Sequence, residues 1–290
     1  MKKLSYTLFM LAGMAALTTI SSCKKNTDLL LTDTETVNDN LQLDEAISDT
    51  FTEITSLSSQ EITLNDVPGA DQSVVTNSLS SNTSGTLSNS CRTVTISPLG
   101  DSWPKTVTID FGNGCDDGGK IRTGKIIAVY SGRLKQAGSS ITVTFENFSI
   151  NGNSITGTKT IVNNGLNGSG NYTFTITVSH TRTSATGTVF TLNSTKTIEW
   201  KEGISTSTPF DDVFSFTGSD SGIDAKGRAF STLIIEPLVR KVACRFFVSG
   251  SIQINVGDRP QMLLDYGTGE CDALATLTVN GVSKQISLRK

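Results

Sequence analysis

From Cys91 onward, the apolar residues of this 290-residue chain recur at every second position, with Thr, Ser or Asn between them. Val94/Ile96, Val107/Ile109, Ile141/Val143/Phe145, Tyr172/Phe174/Ile176/Val178, Ile198/Trp200, Phe214/Phe216, Ile252/Ile254/Val256 and Leu277/Val279 follow the pattern. A strand turns successive side chains to opposite faces, so this period sets one face against a core and the other in water. Threonine suits the wet positions because its branched Cβ fits a pleated surface. Asn151-Gly152, Asn163-Asn164-Gly165, Glu202-Gly203 and Asn280-Gly281 punctuate the runs as turn signals, and Asn-Gly is the strongest short hairpin signal. In Phe145-Glu146-Asn147-Phe148 the alternation slips by one, as a β-bulge would make it. The expected fold is mainly β: antiparallel and hairpin-rich, as a sandwich or one long curved sheet, with one short N-terminal helix.

The most specific motif is an internal repeat. One copy runs from Cys91-Arg92 through Gly100-Asp101 and Pro104 to Asp110-Phe111-Gly112-Asn113-Gly114-Cys115-Asp116. The other runs from Cys244-Arg245 through Gly257-Asp258 and Pro260 to Asp265-Tyr266-Gly267-Thr268-Gly269-Glu270-Cys271-Asp272. In each, the Gly-Asp turn signal falls near the midpoint between the cysteines. The two thiols should therefore face each other across an antiparallel hairpin, where opposed Cα atoms lie about 4.5–5.5 Å apart, within disulfide reach. The expected pairs are Cys91–Cys115 and Cys244–Cys271. A four-cysteine zinc site would want cysteines a few residues apart, which this chain lacks. Asp110 and Asp265 invite a catalytic or calcium role, but a local one accounts for them: each can accept backbone N–H bonds from its own Gly-x-Gly turn.

The N-terminus carries an address. Lys2 and Lys3 precede an uncharged, largely apolar stretch from Leu4 to Ile20, which exits through Ser21-Ser22-Cys23. A basic start, a short apolar run and small residues before a cleavage point make a signal peptide. Five cysteines become an even four if Cys23 is acylated, which suits an exported chain. Two acyl chains on one residue would suffice for stable anchoring. The expected organisation is a signal peptide over 1–22, a lipidated tether over 23–38, and a short helix and Ser/Asn/Thr-rich linker over 39–90. The β domain with its duplicated disulfide hairpins then occupies 91–290. The helix is read from Leu43, Ile47, Phe51, Ile54 and Leu57 at helical spacing.

Little in the chain reads as chemistry. Its single histidine, His180, reads as a solvated residue at a strand end, and no Gly-x-Ser-x-Gly, His-Glu-x-x-His or phosphate-loop motif occurs. Glu146, Glu199, Asp211, Asp212 and Asp224 read as surface charges, though a carboxylate pair can assemble only in the fold. No catalytic residue, cofactor or metal site is expected. A net charge of −3 without a basic stripe argues against nucleic acid. Trp103, Trp200, Tyr130, Tyr172 and Tyr266 are the candidate glycan platforms, with Trp200 alternating as a core residue would. A fainter echo, Gly157-Thr158-Lys159-Thr160-Ile161 and Ser194-Thr195-Lys196-Thr197-Ile198, suggests hairpins with Lys159 and Lys196 on the solvent face.

Taken together, Ser-Ser-Cys23, Ile109-Asp110-Phe111-Gly112-Asn113-Gly114-Cys115, Gly124-Lys125-Ile126-Ile127, Tyr130-Ser131-Gly132-Arg133, Asn151-Gly152, Gly157-Thr158-Lys159-Thr160 and Leu264-Asp265-Tyr266-Gly267-Thr268-Gly269-Glu270-Cys271-Asp272 form a recognisable set. They resemble an uncharacterised family of Bacteroidota envelope lipoproteins. The resemblance implies anchorage at the cell outer membrane, facing either the periplasm or the exterior, and brings no activity with it. The expected function is a non-enzymatic structural or binding role in the envelope, with an envelope protein or glycan as partner. The alternative is a glycan-binding accessory protein or a glycan-directed hydrolase.

Overall fold

A computed structural model describes residues 74–75, 91–98, 101–117, 119–206 and 208–288. The signal peptide, Cys23, the tether and the helix expected after residue 39 lie outside the described residues. Among the described residues fifteen strands follow one another: β1 (Val74–Val75), β2 (Thr93–Ser97), β3 (Lys105–Asp110), β4 (Cys115–Asp117), β5 (Lys120–Tyr130), β6 (Ser140–Ile150), β7 (Asn153–Leu166) and β8 (Tyr172–Thr183). They continue as β9 (Val189–Glu202), β10 (Val213–Ile223), β11 (Ala229–Lys241), β12 (Ser249–Val256), β13 (Met262–Thr268), β14 (Leu274–Val279) and β15 (Val282–Ser287). The short β1 lies in the segment read as linker. Among the described residues the only helix is one 3-10 turn, Pro209–Asp211.

Every strand pairs antiparallel with its chain neighbour, except that β3 pairs directly with β5 while the short β4 pairs only with β5. The result is one long meandering sheet, open at β1 and β15. Its register keeps the sequence's period intact. In β9 the alternate residues Phe190, Leu192, Ser194, Lys196, Ile198 and Trp200 are all buried, while those between them are at least partly exposed. Phe174 and Ile176 on β8, Leu238 on β11, Ile254 on β12 and Leu264 on β13 are wholly buried on the same face. Each such side chain contributes about 1.5–3 kcal/mol by leaving water, and a one-residue slip of any strand would turn its set outward.

The turns divide the sequence signals into two kinds. Asn151-Gly152 joins β6 to β7 and Asn280-Gly281 joins β14 to β15, with all four residues at positive φ, as a type I′ hairpin requires. Asn163-Asn164-Gly165 is not a turn but a register shift inside β7. There the buried Asn163 donates to the Leu134 carbonyl and accepts from the Gly165 N–H, so its side chain holds a bulge instead of reversing the chain. The slip in Phe145–Phe148 is a bulge as expected: Asn147 has φ 49°, and β6 loses register against both neighbours there.

Cys91 is bonded to Cys115 and Cys244 to Cys271, with Cα atoms 5.4 and 5.7 Å apart. The geometry differs from the simple hairpin picture. Thr93 pairs with Asp110, yet Cys115 lies beyond the Phe111–Gly114 turn, on β4. Cys244 sits in the connection before β12, and Cys271 lies just past β13. Both bridges therefore clamp the open ends of the β2–β3 and β12–β13 hairpins, one towards each end of the sheet. The repeated aspartates have the expected local role: Asp110 accepts from the Gly112 N–H and Asp265 from the Gly267 N–H, each at 2.8 Å. The aromatic that follows, Phe111 or Tyr266, is buried.

Candidate functional site

The concavity of interest lies on the wet face of β8–β12. Two register rows build it. Thr177, Thr195, Ser219, Leu233 and Gln253 oppose one another from strand to strand. One step along, so do Ser179, Asn193, Ser221, Ser231 and Asn255. Neighbouring strands stand about 4.8 Å apart, so the rows form a regular array of hydroxyl and amide groups. Together they enclose an open groove of about 550 Å³. The β10–β11 register shifts between Phe216 and Ser219, and Gly218 has φ +131°, with β9 so close that a Cβ would strike the Thr195 carbonyl. Only glycine permits that approach.

Directly beneath, on the dry face, sits a buried ionic cluster. Asp220 opposes Ser194 on β9 and Thr232 on β11. Its Oδ2 accepts a hydrogen bond from Thr232 Oγ1 at 2.8 Å and lies 3.2 Å from Lys196 Nζ, both charged side chains being about 5% exposed or less. Asp220 Oδ1 and Ser194 Oγ are buried with no hydrogen-bond partner among the described residues. Contrary to expectation, Lys159 and Lys196 do not face solvent: they are 1% and 3% exposed. Each shares parity with its neighbouring isoleucine, Ile161 or Ile198, and so turns inward with it. That parity was the signal available in the sequence.

His180 is likewise not a solvated strand end. It lies inside β8, opposite Gly157 and Leu192. Its Nε2 is buried without a partner among the described residues, and the ring meets Phe145 edge-on at 5.1 Å. Burial, reinforced by the charge of Lys159, lowers its pKa to about 4, so it is neutral at pH 7.

The five carboxylates are scattered. Glu146 is exposed beside Lys125. Glu199 accepts from the side-chain amides of Asn171 and Asn167, each at 2.8 Å, and these bonds hold its pKa below the usual value against the opposing effect of burial, with a smaller contribution from Lys201. Two of the five are not surface charges. Asp224 is buried and caps the β10–β11 turn, accepting from the Lys226 and Arg228 backbone and from the Arg228 guanidinium. Asp212 is buried and accepts from Trp200 Nε1 at 3.1 Å. Its burial raises the carboxyl pKa to about 6; the adjacent Asp211 adds to the rise, while the Trp200 bond and Lys135 oppose it. Both perturbed groups have structural causes, and neither belongs to the groove lining.

The aromatic candidates do not gather either. Trp200, Tyr130 and Tyr266 are core residues, whereas Trp103 is half-buried with Lys105 Nζ 5.1 Å from its ring centre. Among the described residues no three His, Cys, Asp or Glu side chains cluster as a metal site would require. The sequence does not mark the groove, because Ser, Thr and Asn recur on a wet face whether or not their strands align into one. No protein family matches the sequence, and no curated protein or solved structure shows detectable similarity to it.

Proposed function

We propose that the chain is a non-enzymatic module of the bacterial cell envelope, exported, anchored to the outer membrane through diacylated Cys23, and acting by binding. The anchor rests on the N-terminal sequence: a basic start, an apolar run, Ser-Ser-Cys23, and an even cysteine count once Cys23 is set aside. It also rests on the resemblance to Bacteroidota envelope lipoproteins. The binding role rests on one observation above all: the wet-face groove across β8–β12 is lined with hydroxyl and amide groups. Such groups are equipped to hold a partner by hydrogen bonds. Two disulfides, one towards each end of the sheet, suit export to an oxidising compartment.

Metabolic labelling with an alkyne analogue of palmitate tests the anchor. Wild-type chain should carry label and sediment with outer membranes, and Cys23→Ser should lose both properties. An unlabelled wild-type chain, or a Cys23→Ser chain that keeps its label, would overturn the anchor.

A further inference from the structure

We propose that the groove across β8–β12 binds a short stretch of uncharged glycan, held by side-chain hydroxyls and amides. The inference rests on the binding role just given and specifies its ligand class by elimination and by fit.

Strand addition is closed to a peptide, because each of β8–β12 is hydrogen-bonded on both sides and offers no free edge. A polyanion, whether nucleic acid or acidic polysaccharide, requires Lys or Arg at the surface. Among the described residues of the lining, Asp220 is the only charged one; it is buried and held by Lys196 on the dry side. A tight protein partner draws on aromatic or Arg anchors in a desolvated centre. The middle strands of this groove, β9–β11, present Asn193, Thr195, Ser219, Ser221, Ser231 and a single Leu233, with no aromatic or Arg among the described residues of the lining.

What remains matches a sugar. Each Ser or Thr hydroxyl both donates and accepts, and each Asn side chain presents two donors and an acceptor. Sugar hydroxyls need that two-way partner, and the register rows repeat it from strand to strand. Leu233 stands in the same groove, 47% exposed, and offers one apolar contact to the C–H face of a sugar ring. The volume of about 550 Å³ falls within the range of small-molecule sites.

Isothermal titration of the full chain in a zwitterionic, sugar-free detergent tests this. The probes are uncharged hexasaccharides of glucose, mannose and xylose, with hexagalacturonate as the acidic counterpart of equal length. At least one neutral hexasaccharide should bind saturably, and hexagalacturonate should bind more weakly. Asn193→Ala combined with Ser221→Ala removes two exposed groups and should weaken binding about tenfold. Thr142→Ala, exposed on β6 outside the groove, should leave binding unchanged. Circular dichroism checks that the variants fold; Asn193→Ala alone should lower affinity in the same direction. Three results would each overturn the proposal: no neutral binding, tighter binding of hexagalacturonate, or neutral binding indifferent to Asn193 and Ser221. Failure of these titrations with the Cys23 label intact refutes the glycan and leaves the anchored envelope module standing, whereas loss of the label overturns the anchor whatever the titrations show.

Discussion

Replacing Asp212 by Asn keeps an acceptor for Trp200 Nε1 and removes a carboxyl whose pKa rises from 3.8 to about 6 on folding. Between those values the folded protein holds a proton that the unfolded chain has released. Its stability therefore falls as pH rises through the interval, and the penalty persists above it. A shift of about two units corresponds to at most about 3 kcal/mol. His180 acts in the opposite sense. Its folded pKa is lowered from 6.5 to about 4, so between those values only the unfolded chain takes up the proton. Stability contributed by neutral His180 is complete above about pH 6.5 and is lost as pH falls towards 4. That contribution is at most about 3–4 kcal/mol. The two slopes nearly cancel in the parent protein and separate only in variants. Scanning calorimetry from pH 4 to 7 should show Asp212→Asn raising the melting temperature at pH 7, by up to roughly 10 °C, with the gain vanishing near pH 4. His180→Gln should instead improve relative to the parent as pH drops from 6.5 to 4. Difference curves of the same sign, or an Asp212→Asn gain unchanged at pH 4, would show that packing and not ionisation governs these sites.

Asp220→Ala removes the carboxylate that Lys196 and Thr232 share and should cost about 3–5 kcal/mol, read from chemical denaturation, because it breaks a buried, hydrogen-bonded ion pair. Double replacement of Cys91 and Cys115 by Ser should cost about 3 kcal/mol in the same assay, as expected for freeing a loop of this length. Non-reducing peptide mapping of the parent should recover the Cys91–Cys115 and Cys244–Cys271 peptides, and a Cys91–Cys244 product would contradict the structure.

The strands were legible because a sheet with one dry face writes its period directly into the chain, as in Phe174-Thr175-Ile176-Thr177-Val178. The cysteine pairing could be read from the repeat, but the clamps' position at the open ends of the hairpins could not. That position depends on where Phe111–Gly114 leaves β3. Asn163-Asn164-Gly165 misled for a related reason: Asn-Gly encourages positive φ in a turn and in a bulge alike. Whether such a site reverses the chain is decided by distant partners, here the Leu134 carbonyl. Lys159 and Lys196 turn inward because strand parity, not side-chain charge, sets the face that each residue takes.

The sequence by itself determined the period-two strands, the two tight Asn-Gly hairpins, the bulge at Asn147 and the partners of four cysteines. Each of these is a local or repeated pattern, readable without knowing what lies across the sheet. Tertiary structure alone decided the groove over β8–β12 and the Lys196–Asp220 cluster beneath it. Both arise from the register that brings residues of separate strands into line. Register is set by the summed burial of whole strands, so no short stretch of residues records it.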